Sequence, residues 1–569
     1  MPKNLQTIIS HIKALVLAFI NHLPSPLAQF VTGTYAYQAR QMTALYRKAQ
    51  PLHKPKQTVL FWVPGGMPMM LDFESVIAAA LRLRGIDVHA IICDGPFRAC
   101  ILRELDQQGK YLPISEWPKT CARCCRNASA VLKSMGIPYS FIGDYVPKSV
   151  CADLWKMTPS VTWESIDNLC YGDIKIGNNV RSAVLRYLKG YDLAGHEDIV
   201  REYAFSALVT AAAAASAFDR ISPSRIFMSH AIYVDWGPSA QTALSRGIPV
   251  TAWMGAYLKA RFYIRHLEDG RQMDFHCLSR AAWEEQRQVA MRPFEDKRLN
   301  TYLENRYQRQ ISFDMKYFGQ YQGDTSQFRQ KYRLKPDKPV WGINTHINWD
   351  CVSDYSPMAY ESFDEWVLDT IREISQITDV QWLIKIHPAE VWENPQSGAQ
   401  RLIERHYPAI PDHVRLIPPE EEISPLDFYQ LTDGGVTVYG TSGLEMATLG
   451  KPVILAGEAH YGGKGFTYDG LDRESYRRLL HRARTLKPLS KEQQELARRY
   501  AYCYFIQRQV PILAVSTPDS IRFRFQRDQR ELLAPGKDPF LDFTCERILD
   551  GKDFIIDERL VEMSERGLD

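Results

Sequence analysis

Charge of one sign is what this 569-residue chain has least of. Its 69 basic and 66 acidic side chains leave a formal charge of +3. That balance excludes a general nucleic-acid binder, which needs a surplus of cations to neutralise phosphates. Metal-ligand spacing is also short. Cys121, Cys124 and Cys125 form a CxxCC cluster with Cys93 and Cys100 upstream, but a second clean CxxC or HxxxH pair is missing. No metal site is therefore assigned. The eleven cysteines read as those of a reduced, cytosolic protein, packed on a helix or shaping a loop. Pro64-Gly65-Gly66 lacks the full G-x-G-x-x-G fingerprint, which excludes a nicotinamide site there. No DxD-like pair sits in a convincing loop, and there is no internal repeat or long low-complexity tract. No A-x-A-like cleavage site follows the start, so no secretory leader is expected. Residues 7–31 are apolar at helical spacing but interrupted by His11, Lys13, Asn21 and His22, too polar for a membrane span. Two readings stay open for them: a helix docked on the protein's own core, and an interfacial helix in contact with a membrane.

What is present is a strand-loop-helix rhythm, clearest from Trp382 to Thr467. Three short apolar runs each end in a polar turn: Gln381 to Ile386 at His387-Pro388, Val414 to Ile417 at Pro418-Pro419-Glu420, and Gly435 to Tyr439 at Gly440-Thr441-Ser442-Gly443. A helical pattern follows each. Such units build a parallel sheet whose loops gather at the carboxyl edge, where ligands of open α/β sheets bind. Glycines at 440 and 443 permit close backbone approach, and free amides at a helix start favour an anion. Thr441 and Ser442 add hydroxyl donors, and Glu445, one turn into the helix, suits ribose hydroxyls. The competing reading makes Thr441 or Ser442 an ordinary N-cap with Glu445 as its capping partner. His387 at a strand end, with Lys385 two residues earlier and Lys464 in GGKGFT, shifts the balance to a phosphate site. Glu420 belongs to the same edge.

Upstream, Thr58 to Val63, a helix from Leu71 to Arg84 and Val88 to Cys93 open a βαβ unit. Glu202 to Phe218 is an alanine-rich helix suited to burial. Arg225 to Ser229 is a strand ending in His230, with Asp235 in the same loop before a helix Ser239 to Ser245. Asp235, with His230 second, is the candidate catalytic group on this side of a cleft. Its competing role is to cap that helix or bond its own turn. Asp350, after Trp349, is a third candidate. QGDTSQ at Gln322 to Gln327 reads as a linker.

The ordered motifs NTHINWD, KIHPAE, IPPEEEIS and YGTSGLEMATLGKPVILAGEAHYGGKGFT resemble the capsule polysaccharide biosynthesis family, bacterial glycosyltransferase-like proteins of GT-B fold that include β-Kdo transferases. The His-Pro and Ser/Thr motifs are also similar to those of bacterial sialyltransferases that use CMP-sugars. The resemblance is strongest over residues 330–480 and weaker over 56–280. It implies that His387, Thr441 and Ser442 hold nucleotide phosphates, that Glu445 holds the ribose, and that the loop Pro419 to Ile423 borders the base. If it extends to mechanism, a carboxylate of the first domain would be the nucleophile, at a position these motifs do not specify.

The expectation is an α/β, GT-B-like chain with two Rossmann-like domains facing a central cleft. Residues 1–55 form a helical extension, 56–325 an acceptor domain, 326–487 a nucleotide-sugar domain, and 488–569 helices that cross back to the first domain. The expected activity is metal-independent glycosyl transfer in surface polysaccharide assembly. A nucleotide-sugar is co-substrate and no further cofactor is needed. CMP-Kdo or a related CMP-ulosonate stands ahead of UDP- or GDP-sugars, with a glycan or lipid-linked acceptor. The expected location is cytoplasmic, at the inner face of the membrane if residues 7–31 touch it. A sugar-nucleotide epimerase of the same architecture and a non-catalytic scaffold of a capsule-export complex are the alternatives.

Overall fold

The computed structural model describes residues 33–49, 57–65, 68–103, 117–189, 193–268, 276–308, 319–354, 357–393, 398–517 and 523–566. The stretch 7–31 lies outside the described residues.

The first domain holds β1 (Thr58–Val63), β2 (Asp87–Ile92), β3 (Tyr139–Phe141), the small hairpin β4 (Cys170–Tyr171) and β5 (Ile174–Lys175), β6 (Arg225–Ser229), β7 (Val250–Gly255) and β8 (Arg261–His266). The second holds β9 (Val340–Asn344), β10 (Gln381–Lys385), β11 (Val414–Ile417), β12 (Gly434–Thr437), β13 (Val453–Leu455) and β14 (Tyr468–Asp469). Three short strands follow: β15 (Val510–Pro511), β16 (Val515–Ser516) and β17 (Arg524–Phe525). The central strands are buried along their length, because helices cover both sheet faces. Val59 to Val63 and all five residues of β10 are buried. The molecule is an α/β protein with two Rossmann-like domains, a GT-B-like architecture.

The second sheet runs β11-β10-β9-β12-β13-β14 and is parallel throughout. Counted within the domain, that is the order 3-2-1-4-5-6, with its topological switch point between β9 and β12. The first sheet runs β15-β8-β7-β6-β1-β2-β3. Its parallel part switches direction between β1 and β6, while β7–β8 and β8–β15 are antiparallel.

Chain order and spatial order part company at the end. Helix Lys491–Tyr502 passes into a π-turn, Cys503–Gln507, and β15 then pairs with β8, Val510 opposite Phe262. Helix Pro539–Asp550 packs on helix Pro68–Leu83, and Arg84 pairs with Asp542. Helix Glu197–Ile221 is, among the described residues, long and apolar enough to cross a membrane, but its residues are buried inside the first domain.

Two helix boundaries differ from those read in the sequence. The helix expected at Ser239 begins at Tyr233. Gly237 N bonds Ile232 O in a widened first turn, which accommodates Pro238 without the amide it lacks. The helix expected from Leu444 begins at Thr441, with Gly440 as N-cap and no side-chain cap. Neither Thr441 nor Ser442 is therefore the N-cap.

Candidate active site

The switch point of the second sheet is where the polar residues meet. Thr437 ends β12 and His346 lies two residues beyond β9. His346 Nε2 accepts from the Tyr439 amide at 3.1 Å and lies 3.2 Å from Thr437 Oγ1. Its ring stacks on Phe363, centroids 4.8 Å apart. An Nε2 that accepts from a backbone amide leaves the ring proton on Nδ1. Burial, then His387, pushes His346 down to about 3, so the ring is neutral.

Beside it the helix Thr441–Thr448 starts. Gly440 is crowded: a Cβ there would lie 3.0 Å from Thr437 Oγ1 and 3.1 Å from Ser442 Oγ. Tyr461 OH donates to Gly440 O at 2.6 Å and fixes the turn. Gly443 N donates to Gly440 O at 3.1 Å; with no side chain capping the helix, the amides of Thr441 and Ser442 are the ones open to an anion.

These groups face a cavity of about 170 Å³ between the domains. His346, Thr441 and His460 come from the second domain, Tyr257 and His276 from the first, and Tyr504 from the π-turn of the crossing segment. Such turns are frequent at functional sites. Tyr439, Gly440, Cys277 and Glu458 complete the wall. His276 Nδ1 lies 2.8 Å from Tyr504 OH. Tyr500 OH donates to His460 O at 2.6 Å, so its oxygen accepts from His460 Nδ1 at 3.1 Å. His460 Nε2 is then a lone pair, buried and without a hydrogen-bond partner among the described residues. Burial, followed by neighbouring cations and rings, pushes His276 down to about 3 and His460 well below its usual range.

Of the residues singled out in the sequence, Thr441 lines this cavity, and Ser442 and Gly443 follow it on the same helix turn. Gly443 is there because Tyr461 leaves no room: a Cβ would stand 2.1 Å from its hydroxyl. His387 is at the same sheet edge, next to His346 but outside the cavity wall. Its amide donates to Thr345 Oγ1 at 3.0 Å, and its Nδ1 accepts from Ala389 N at 3.2 Å. A neutral His387 therefore carries its proton on Nε2. Lys385 is 4% exposed and its Nζ has no hydrogen-bond partner among the described residues. Burial lowers it to about 8, against the opposing pull of Glu421. Lys464 is partly buried, close to Cys277 and His460. Glu420 is exposed.

Glu445 does not present a carboxylate to the cleft. It is buried, and Arg306 Nε and Tyr429 OH each donate to it at 3.2 Å. The ribose role read for it is corrected on that ground: the helix turns its side chain into the protein, toward an arginine from a distant helix. Asp235 is also corrected. It lies in the first turn of helix Tyr233–Ser245, 2% exposed, with Ile101 N donating to Oδ2 at 3.1 Å. It lines a separate cavity of about 30 Å³ at the switch point of the first sheet, with Glu74, Cys93 and Cys121. Burial raises Asp235 to about 7 and Glu74 to about 8. The cysteines there are free thiols, and among the described residues no three of His, Cys, Asp and Glu form a metal-binding group.

His230 and Asp350 lie at the domain boundary. Asp350 Oδ1 accepts from Arg186 Nη1 at 2.6 Å and from Tyr233 OH, so it is an engaged carboxylate and not a free base. His230 is partly exposed, bonded to Ser229 Oγ, and near enough to His276 to depress its titration. Sequence reasoning missed His276, Cys277, Glu458, His460 and Tyr504, and it quoted His346 inside NTHINWD without giving it a role. The signal for His346 was available, since it follows a strand end just as His387 does. Tyr504 reaches the cleft through the crossing of the chain, and His276 of the first domain meets it there.

Fold and cleft together define a two-domain α/β protein with a ligand cavity between paired Rossmann-like sheets. No protein-family model matches the sequence, and no curated protein matches it. Among solved structures it is similar to KpsC of Thermosulfurimonas dismutans, a β-Kdo 2,4 transferase, at 15% identity and a TM-score of 0.31, over 55% of this chain and 87% of that one. It is similar to UDP-GlcNAc 2-epimerase from Neisseria meningitidis bound to UDP-GlcNAc, at 11% identity and a TM-score of 0.24, over 79% and 96%. The Methanocaldococcus jannaschii UDP-GlcNAc 2-epimerase in complex with UDP-GlcNAc and UDP gives 11% and 0.26, over 77% and 97%. At these values no residue role passes across the likeness.

Proposed function

We propose that this chain is a glycosyltransferase that takes a sugar from a nucleotide-activated donor. The observation that carries the reading is the interdomain cavity at the switch point of the second sheet, walled by an uncapped helix start and neutral histidines. The first-turn amides and the Thr441 and Ser442 hydroxyls take the charge that develops on the departing phosphate. His387 Nε2–H and Lys385 add donors behind them. Glu458, in the cavity wall, accepts from sugar or ribose hydroxyls, the part first read for Glu445. On the first-domain side His230, neutral because burial and Arg186 push it down to about 4, accepts the proton of the acceptor hydroxyl. That oxygen bonds to the anomeric carbon as the carbon–phosphate-oxygen bond breaks, and the electron pair leaves with the nucleotide.

A CMP-ulosonate donor, a glycan or lipid-linked acceptor, a role in capsule assembly and a cytoplasmic site with residues 7–31 at the membrane belong to the same proposal. They are supported by the sequence motifs and by the apolar spacing of that segment.

The test is a thermal-shift panel of CMP, CDP, UDP, GDP and ADP. A ligand that binds only the folded protein raises its melting temperature. One nucleotide should give a clear shift, and Thr441→Val should weaken it. Free UDP and a rearranged sugar released without any acceptor would instead assign an epimerase. No shift with any of the five would remove the nucleotide reading and leave the scaffold.

A further inference from the structure

The loop that follows β9 begins in one domain's nucleotide side and ends on the other domain. It carries His346 at the cavity, then Asp350 on Arg186 and Tyr233, then Ser353 and Asp354 on helix Gly177–Leu188. Ser353 N donates to Ser182 Oγ at 3.0 Å, and Asn179 Nδ2 donates to Asp354 Oδ1 at 2.9 Å. The target of Asp350 is itself unusual. His230, Ala231 and Tyr233 have φ of +53°, +58° and +56°, three left-handed residues in four positions, none of them glycine. Each is a strained backbone conformation that persists only where its surroundings hold it. Tyr233 is held at its hydroxyl by Asp350, and the Arg186 guanidinium lies 5.5 Å from its ring centroid.

We infer that Asp350 is a positioning residue: through Tyr233 and Arg186 it holds the left-handed turn 230–233 so that His230 faces the cleft, and the loop 345–354 ties that geometry to the nucleotide side. The inference rests on the glycosyltransferase reading above. Asp350 touches no substrate; it acts through the turn.

The charged groups facing His230 are Arg186, Asp350 and His276. Asp350 raises the histidine's titration and Arg186 lowers it, beneath the larger effect of burial. A base must be unprotonated, so the rate rises with pH through its titration and is full above it. Removing the Asp350 charge moves that acid limb to lower pH.

The experiment compares wild type, Asp350→Asn and Tyr233→Phe. The probe reaction is hydrolysis of the sugar nucleotide whose base gives the thermal shift, with water in place of the acceptor. Asp350→Asn should keep the nucleotide shift, lower kcat by about ten- to a hundredfold, as the loss of one charge-assisted hydrogen bond allows, and move the acid limb down. Tyr233→Phe should lower kcat less, with the acid limb in place. Wild-type kcat in Asp350→Asn overturns the inference, and so does a lower kcat with an unmoved acid limb, which would be a merely structural role. Loss of the nucleotide shift in Asp350→Asn overturns it as well, because the loop would then act on the donor site. If the wild type itself shows neither shift nor hydrolysis, the functional reading has failed.

Discussion

Arg306 donates to Glu445 through its Nε at 3.2 Å, and both side chains are about 97% covered. The arginine comes from helix Pro293–Tyr307 and the carboxylate from the helix whose first turn lines the cavity. Breaking a buried ion pair from one side leaves a charge without its counter-ion. Glu445→Ala should therefore cost roughly 3–5 kcal/mol of stability, read by denaturant unfolding. The nucleotide shift of the folded variant should persist. A variant with normal stability and no nucleotide shift would return Glu445 to the site.

Gly443 tests the packing behind the helix start. Gly443→Ala drives a methyl group toward the Tyr461 hydroxyl, and overpacking of this kind costs about 1–3 kcal/mol. Adding Tyr461→Phe removes the nearest clashing atom and leaves the ring Cζ at 2.9 Å, so the double variant should lose less than the two single losses summed. Strict additivity in a double-mutant cycle would show that the contact is not made.

The anion site predicts a graded response. Thr441→Val and Ser442→Ala each remove a hydroxyl donor to a charged group, worth about 1.5–3 kcal/mol when made. Nucleotide affinity measured by calorimetry should fall about tenfold or more in each, with unfolding unchanged. Equal affinity in all three proteins would place the phosphate elsewhere.

Buried histidines and buried carboxylates pull the pH dependence of stability in opposite directions over overlapping windows. His230, His276 and His346 titrate near 4, 3 and 3 in the folded chain, against about 6.5 unfolded. Their contribution is present above pH 6.5 and is lost as pH falls toward 4. Asp235, Asp354 and Glu74 are raised by burial to about 7, 7 and 8. Their contribution is present below the usual carboxylate range, about pH 4, and is lost as pH rises through 7 to 8. Asp235→Asn removes one of these losses. Its melting temperature should rise more, or drop less, than that of wild type between about pH 4 and about pH 7, and an identical profile would mean that Asp235 is charged in the folded protein.

Local pattern made the sheets legible. Apolar runs such as TVLFWV and QWLIK have few alternatives to buried parallel strands. The strand-end rule that located His387 also locates His346. Periodicity gives no direction for a side chain inside a helix turn, so Glu445 and Asp235 were read as facing the cleft when both face inward. Nor does a local pattern announce that residues near 276 and 504 will meet residues near 346 and 460. That meeting depends on the return of the chain after Tyr502 and on a π-turn that no residue spacing marks. The left-handed turn at 230–233 was equally hidden, since glycine, the usual marker of such geometry, is absent from it.

The pairing of Val510–Pro511 with β8 sets the order in which the protein can be finished on the ribosome. All six strands of the second sheet have emerged by Asp469, whereas the first sheet, begun at Thr58, waits for residue 511 to cover its edge. Synthesis ordinarily completes the amino-terminal domain first; here the first sheet keeps one edge uncovered until residue 511 has been made. A nascent chain stalled between these points would carry the open edge of Arg261–His266, the kind of surface that pairs with neighbouring chains, and a chaperone engaged during synthesis would find its target in the first domain.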